Sequence, residues 1–277
     1  MSRRWQQVRH QLRRNRPAQF SLFVLFIFVI AALCAGLSPY DPDRMALGAR
    51  TLPPDAAHWF GTDEYGRDYF TRALYGGQIS LMVGFLAMLF STLIGTVVGT
   101  VSGYFGGWLD NLMMRAVDIL MAIPAFFLLL VVNAYLKPGV DNIILIISLL
   151  TWMNMSRLVR AETLSVKERE YVLYARASGE HPLRIIVRHI IPGVLPTIIV
   201  AATLNIASAI LMESTLSFLG LGVQAPAASW GSMQSYIGEA SWLAMFPGIL
   251  ILLTVFSFNV LGDVFRTAFE PGANRDE

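Results

Sequence analysis

The residues that could carry chemistry in this 277-residue chain are few, and most lie in or beside long apolar runs. Glu213 stands among Ser208, Ser214, Thr215 and Ser217. An ionisable group inside an apolar segment is costly unless it meets water or a partner. Glu213 therefore has two readings: with Ser217 it lines a water-filled path and contacts a cationic substrate, or it hydrogen-bonds to a neighbouring helix. Asp118 follows Arg115 by three residues, which puts both on one helix face and lets them neutralise each other. Asp263, beside Asn259 and Gly262, reads as a capping or structural group. His10, His58, His181 and His189 fall in separate settings, and HExxH, CxxC, GxxxxGK[ST] and GxSxG motifs are all missing. The sequence thus offers no catalytic residue, no metal site and no phosphate loop of that kind. Nor does it hold the aspartate or His–Glu pairs at membrane depth that an intramembrane protease would use.

The elements that must position these groups follow from composition. The chain is 55% hydrophobic and 14% charged, against about 25% charged in ordinary soluble domains, which argues for a polytopic membrane protein. Six apolar runs are expected, at Phe20–Leu37, Ile79–Val101, Ala116–Tyr135, Ile143–Met155, Val194–Leu219 and Trp242–Val260, the fourth barely long enough to cross about 30 Å of hydrocarbon. The arginine-rich start resembles a secretory signal, but the apolar run behind it is too long and others follow. Leu33 before Cys34 does not fit a lipobox, and a single cysteine excludes an intrachain disulfide. With the N-terminus in the cytoplasm, 16 of the 21 lysines and arginines fall inside and five outside. This bias places both termini in the cytoplasm. Trp230 and Trp242 read either as membrane-interface rings or as core aromatics. A net charge of +2 gives no argument for nucleic acid as a partner. Gly95, Gly99 and Gly103 recur every four residues and form a smooth strip for close helix packing, either within the chain or with a second subunit.

Two connecting segments exceed what a simple link needs. The external one, Ser38–Gln78, is rich in Pro, Asp and Gly and reads as turns and short helices. The cytoplasmic one, 156–192, alternates apolar and charged residues at helical spacing and breaks at Gly179 and Pro182, as a pair of short amphipathic helices would. The chain divides accordingly into 1–75, with the basic start, first span and external segment, and 76–273, a five-helix core carrying the cytoplasmic segment.

Within that segment, "YVLYARASGEHPLRIIVRHIIP" (Tyr171–Pro192) resembles the coupling loop of inner-membrane permease subunits of ABC importers. Ala175, Gly179 and Pro192 fall in register with the loop's small residue, glycine and closing proline. Leu173, Tyr174 and His189 depart from it, in place of a glutamate, an alanine and an isoleucine. Four further stretches, His58–Phe85, Gly103–Pro124, Glu213–Met233 and Phe246–Pro271, resemble in order the second permease of dipeptide, oligopeptide and nickel importers. The resemblance implies an all-α, six-span type I ABC importer permease fold. It implies a homologous permease as heterodimer partner, two cytoplasmic ABC ATPase subunits and an extracytoplasmic substrate-binding protein, in the lipid of a prokaryotic cytoplasmic (inner) membrane. No cofactor would be bound by this chain, and ATP and Mg would belong to the ATPase partners. Ala175, Arg176, Gly179, Pro182 and Pro192 would form the ATPase-coupling loop, Ala175 and Gly179 giving a low-relief face and Arg176, Arg184 and Arg188 meeting acidic groups. A basic loop pressed on lipid headgroups is the alternative. Pro39–Tyr75 and Gly222–Ala240 would receive the binding protein. Substrates would be di- or oligopeptides, with nickel or a metal chelate as the alternative. An ion-gradient-driven transporter would instead call for symmetric broken helices or several mid-membrane acids, and a scaffold that transports nothing would tolerate any change in the coupling loop.

Overall fold

The computed structural model describes residues 2–135, 139–236 and 240–269. Lys137, residues 237–239 of the second expected docking segment, and the chain from Glu270 onward, including Pro271 and the end of the 76–273 core, lie outside them.

The described residues are mostly helical, and their only β pairing is an isolated bridge between Thr62 and Asp68. A basic helix α1 (Ser2–Arg14) leads into α2 (Arg16–Leu33). The Asn15 side chain accepts the Ala18 N–H at 3.2 Å and a proline occupies the first turn, two features that start helices. After turns and two short 3₁₀ segments comes α3 (Tyr69–Phe105), which Asp68 caps by accepting the Thr71 N–H at 2.7 Å. It stops at Gly106, whose φ of 64° suits glycine. At 37 residues α3 runs for about 55 Å, well beyond a hydrocarbon core of about 30 Å.

The third apolar run does not form one straight helix. It divides into α4 (Gly107–Ala122) and α5 (Ala125–Tyr135), bent by 87° around Pro124. Proline has no N–H to continue the ladder and disfavours helical backbone before it. The fourth run, expected to be the weak one, is the robust α6 (Val140–Val166), whose apolar window is the best buried of the candidate spans. Its last three turns absorb 156–166, which the sequence assigned to the cytoplasmic segment. That segment shrinks to α7 (Glu170–Ala177) and its flanks. Beyond it, α8 (Pro182–Ile185), a π-turn at Ile186–Ile190 and α9 (Ile191–Phe218) form one continuous rod. Pro192 therefore sits inside helical structure, in the first turn of α9. A short α10 (Trp230–Met233) precedes α11 (Ser241–Phe269). Five helices are long and apolar enough to cross a membrane, or six if the bent α4–α5 pair is one span.

Packing explains the glycine strip. A Cβ on Gly95, Gly99 or Gly103 would stand 2.6 Å from Met155 Cβ, 2.5 Å from the Ser156 carbonyl or 2.8 Å from Thr163 Cβ. All three glycines therefore serve an internal seam in which α3 lies directly on α6. One apolar cluster (Val83, Ala87, Ile147, Ala209, Leu216) joins α3, α6 and α9 in one half of the bundle. A second (Met155, Val159, Val172, Ile185, Ile190) joins α6, α7, α8 and α9 towards the other. The end carrying α7 also holds the C-terminal turn of α11 and α1, where Trp5 meets Phe269 edge-on. The opposite end holds α10 and the segment before α3.

Candidate coupling elbow and polar anchors

At the α7 end the chain makes an elbow. Helix α7 ends with Gly179 at φ 78°: its N–H donates to the Arg176 carbonyl, and the Glu180 N–H donates to the Ala175 carbonyl, both at 3.1 Å. This is a Schellman stop, and it needs a residue that accepts left-handed backbone. His181 then caps α8 by accepting the Leu183 N–H at 3.3 Å, with Pro182 as the first helical residue, where its missing N–H does no harm. Glu180 ties the arms together through His189 at 3.0 Å and Arg184 at 4.0 Å.

The elbow's faces differ from the sequence expectation in one respect. Ala175 points inward, packed with Val172, Ile185 and Ile190. It joins the elbow to the bundle and does not present a low-relief outer face. The outward face is made by Leu173, Tyr174, Arg176, Gly179, Leu183 and Arg184, with Tyr174 76% exposed. Leu173 and Tyr174, the two α7 residues that depart from the family pattern, are therefore among the apolar groups the elbow displays, with Leu183.

Glu213 lies fully inside the chain at 0% exposure. Its carboxylate ends two short hydrogen-bond chains. The Trp230 backbone N–H donates to Ser80 Oγ at 3.2 Å, and Ser80 donates to Glu213 Oε2 at 3.0 Å. The Val223 N–H donates to Ser217 Oγ at 3.0 Å, and Ser217 donates to Glu213 Oε1 at 2.7 Å. Two loop N–H groups are thereby tied to α3 and α9 through one side chain. Of the two sequence readings, hydrogen bonding to neighbouring elements is the one realised, and neither Glu213 nor Ser217 (3% exposed) faces an open path within this chain. Trp230 is core too: its indole N–H donates to the Ala73 carbonyl at 2.9 Å, and its ring meets Phe28 edge-on. Trp242 is half-buried beside Gly61. Asp263 is exposed on α11.

Two further polar sites escaped the sequence reading. Before α3, Arg67 Nε donates to Asp63 Oδ2 at 2.7 Å, and Arg72 Nη1 donates to the Pro42 carbonyl at 3.0 Å and to Asp43 at 3.1 Å. Asp68 meets His58 at 2.8 Å. Asp63, Arg67, Asp68 and Arg72 are all buried, so two of the five positive charges counted outside are internal ion-pair members. The spacing of four between Asp63 and Arg67 is the available signal for that pair, but it does not point to Asp43 for Arg72 or to His58 for Asp68. At the opposite end of α3, Arg160 of α6 grips Asp110 of α4 with both nitrogens, Nε at 2.5 Å and Nη2 at 2.6 Å. Ser102 donates to the same carboxylate, and Lys167 Nζ donates to the Gly103 carbonyl at 3.0 Å. Asp118 pairs with Arg157 of α6 and not with Arg115. Intrahelical spacing alone could not reveal either partner, because both lie about 40 to 50 residues away in the chain.

Comparison with known proteins places these features in context. Residues 95–275 match the family described as binding-protein-dependent transport system inner membrane component, and residues 3–54 match the N-terminal TM domain of oligopeptide transport permease C. The dipeptide transport system permease protein DppC of Bacillus subtilis is 42% identical over 271 residues, 96% of this chain and 85% of that protein. The oligopeptide transport system permease protein OppC of Escherichia coli is 41% identical over 274 residues, covering 96% and 91%. Among solved structures, an inward-facing conformation of the MetNI methionine ABC transporter matches the fold with a TM-score of 0.60 at 19% identity, over 70% of this chain and 95% of that one.

Proposed function

The chain belongs to the family of binding-protein-dependent transport system inner membrane components, and from that premise we propose that it carries di- or oligopeptides inward as one half of a two-permease path. It is a multi-pass permease subunit of an ABC importer and not itself the ATPase. The names of its relatives favour peptides over nickel or a metal chelate. ATP and Mg are held by two cytoplasmic ATPase subunits, a homologous permease completes the path, and an extracytoplasmic binding protein delivers the substrate. The positive-inside count puts the α7 end and both termini in the cytoplasm.

The observation that carries this reading is the elbow. Its inner face is sealed to α6 and α9 by Val172, Ala175, Ile185 and Ile190, while Leu173, Tyr174 and Leu183 stand outward as an apolar cap flanked by Arg176 and Arg184. A surface of that kind suits a groove on a motor subunit, and displacement of it is passed directly into α6 and the α8–α9 rod. Gly179 and Pro182 hold the shape, and Pro192 lies within the rod. The two segments at the opposite end, before α3 and around α10, receive the binding protein.

The test is Tyr174→Glu in the full complex with its ATPase and binding-protein partners. Tyr174 is mostly exposed, so the chain folds and inserts as before. Radiolabelled dipeptide uptake into proteoliposomes is expected to fall by more than about tenfold, with ATPase subunits lost from the purified complex, because a charge is buried against an apolar partner surface. Full assembly with wild-type uptake would refute the coupling assignment.

A further inference from the structure

We propose that the charged wall of the translocation path is the Asp118–Arg157 ion pair with the polar strips on either side of it, and that it contacts the charged termini of a peptide in transit. This rests on the peptide-permease reading above. Glu213, the acid the sequence singled out, is unavailable for the role, since it is fully buried with both oxygens engaged. The Asp118–Arg157 pair is the opposite case. It bridges α4 and α6 with side chains 49% and 46% exposed.

The pair sits deep. Arg157 lies nine residues before Val166, about 14 Å along α6, and Asp118 lies eleven residues past Gly107, about 16 Å along α4. Arg157 lies within a helix long and apolar enough to span the membrane by itself, and Asp118 within the bent α4–α5 pair that makes a sixth span when taken as one. Ionisable groups within a spanning segment face a bundle interior or a water-filled cavity and not lipid tails. Each belongs to a longer strip at helical spacing: Asn111, Arg115, Asp118 and Ala122 on α4, and Asn154, Arg157, Ala161 and Ser165 on α6, all exposed. The large exposed apolar residues of α4 are Trp108, Leu112, Ile119 and Leu120, the first three on a line that Arg115 shares at spacings of three and four and that borders the polar strip. The polar strips adjoin the α4–α6 contact, where Asp110 is held by Arg160.

The chemistry matches a zwitterion. One carboxylate can take an α-ammonium and two guanidiniums can take an α-carboxylate, in the charge-assisted geometry that suits both. Such contacts read only the groups every free peptide shares. In the peptide's absence Asp118 and Arg157 satisfy each other, so the site exchanges one ion pair for another and holds nothing tightly. Passage through a path requires that combination of easy entry and easy exit.

The test uses the complete complex in proteoliposomes, with Cys34 replaced by Ser so that introduced thiols stand alone. Asn154→Cys and Ala161→Cys are expected to react with a cationic, membrane-impermeant methanethiosulfonate when the complex is nucleotide-free, and at least about tenfold more slowly when it is trapped with an ATP analogue. Arg157→Ala is expected to lower the ratio of peptide taken up to ATP hydrolysed by about tenfold, the loss of one charged contact. Thiols unreactive in every state of the complex but reactive in the isolated chain would mean that the partner permease covers the strips, and would overturn the proposal. Reaction with a lipid-soluble maleimide alone would overturn it in favour of lipid. State-dependent reactivity with an unchanged ratio in Arg157→Ala would overturn the contact with peptide termini. State-dependent reactivity in a wild-type complex that takes up no peptide would support the wall and place the error in the peptide reading.

Discussion

Replacing Glu213 with leucine isolates what the carboxylate does from the volume it fills. Leucine is of similar size and leaves little cavity, but it accepts no hydrogen bond. The hydroxyls of Ser80 and Ser217, which donate to Glu213 at 3.0 and 2.7 Å, then have no acceptor at that place. Both serines are buried, at 0% and 3% exposure. A buried polar group stripped of its partner costs about 1 to 3 kcal/mol, so the pair predicts a loss of about 2 to 4 kcal/mol once partial reorientation of the hydroxyls is allowed. Glu213→Gln keeps one acceptor oxygen, and its amide can donate to the second serine, so its loss is expected to stay within about 1 kcal/mol. The assay is thermal unfolding of the purified permease in detergent, where the leucine variant is expected to melt on the order of 4 to 8 °C lower, at about 2 °C per kcal/mol for a chain of this size. Limited proteolysis supplies a local readout. The loop between α9 and α10 is tied to the bundle through the Val223 and Trp230 N–H groups, so it is expected to be cut sooner in Glu213→Leu than in Glu213→Gln. A leucine variant as stable as wild type, with its loop equally resistant, would refute the anchoring role.

Gly99→Ala forces a methyl group to within 2.5 Å of the Ser156 carbonyl and 2.8 Å of Val159 Cβ, and is expected to lower stability by about 1 to 3 kcal/mol through overpacking. Gly36→Ala, with nothing within 4 Å, serves as the control and should be neutral within about 0.5 kcal/mol in the same melting assay. Asp110→Ala removes a bidentate partner of Arg160 and is expected to cost about 1 to 3 kcal/mol, tempered by the partial exposure of the arginine. In a double-mutant cycle, Asp110→Ala with Arg160→Ala should lose less than the two single changes together. Strict additivity would show that the pair contributes nothing as a pair.

Much of the architecture was legible because it depends on local composition. Apolar runs long enough to span a bilayer and the breaks at Gly179 and Pro182 are each properties of a few neighbouring residues, and all but the third run became single long helices near their expected places. The glycine strip announced close packing in the same way, since only the absence of side chains lets helices touch. The segment 156–192 was read too wide for a related reason: polar residues on the last turns of α6 look like a loop in sequence, although the apolar side of the same turns (Val159, Val166) continues the helix into the core.

What the sequence left open depended on pairings between distant positions. It could say that Glu213 must face water or find partners, but Ser80 is 133 residues away. It placed Asp118 and Arg115 on one helix face, whereas the closer cation is Arg157 on α6. It expected Ala175 on an outer face, whereas the fold buries Ala175 and exposes Tyr174, because the inner side of an eight-residue helix is defined by what packs against it. Composition and periodicity fix which stretches leave water, since that free energy is a sum over nearby side chains. Which polar groups then satisfy one another is decided by helix crossings, and those exist only once the chain has folded.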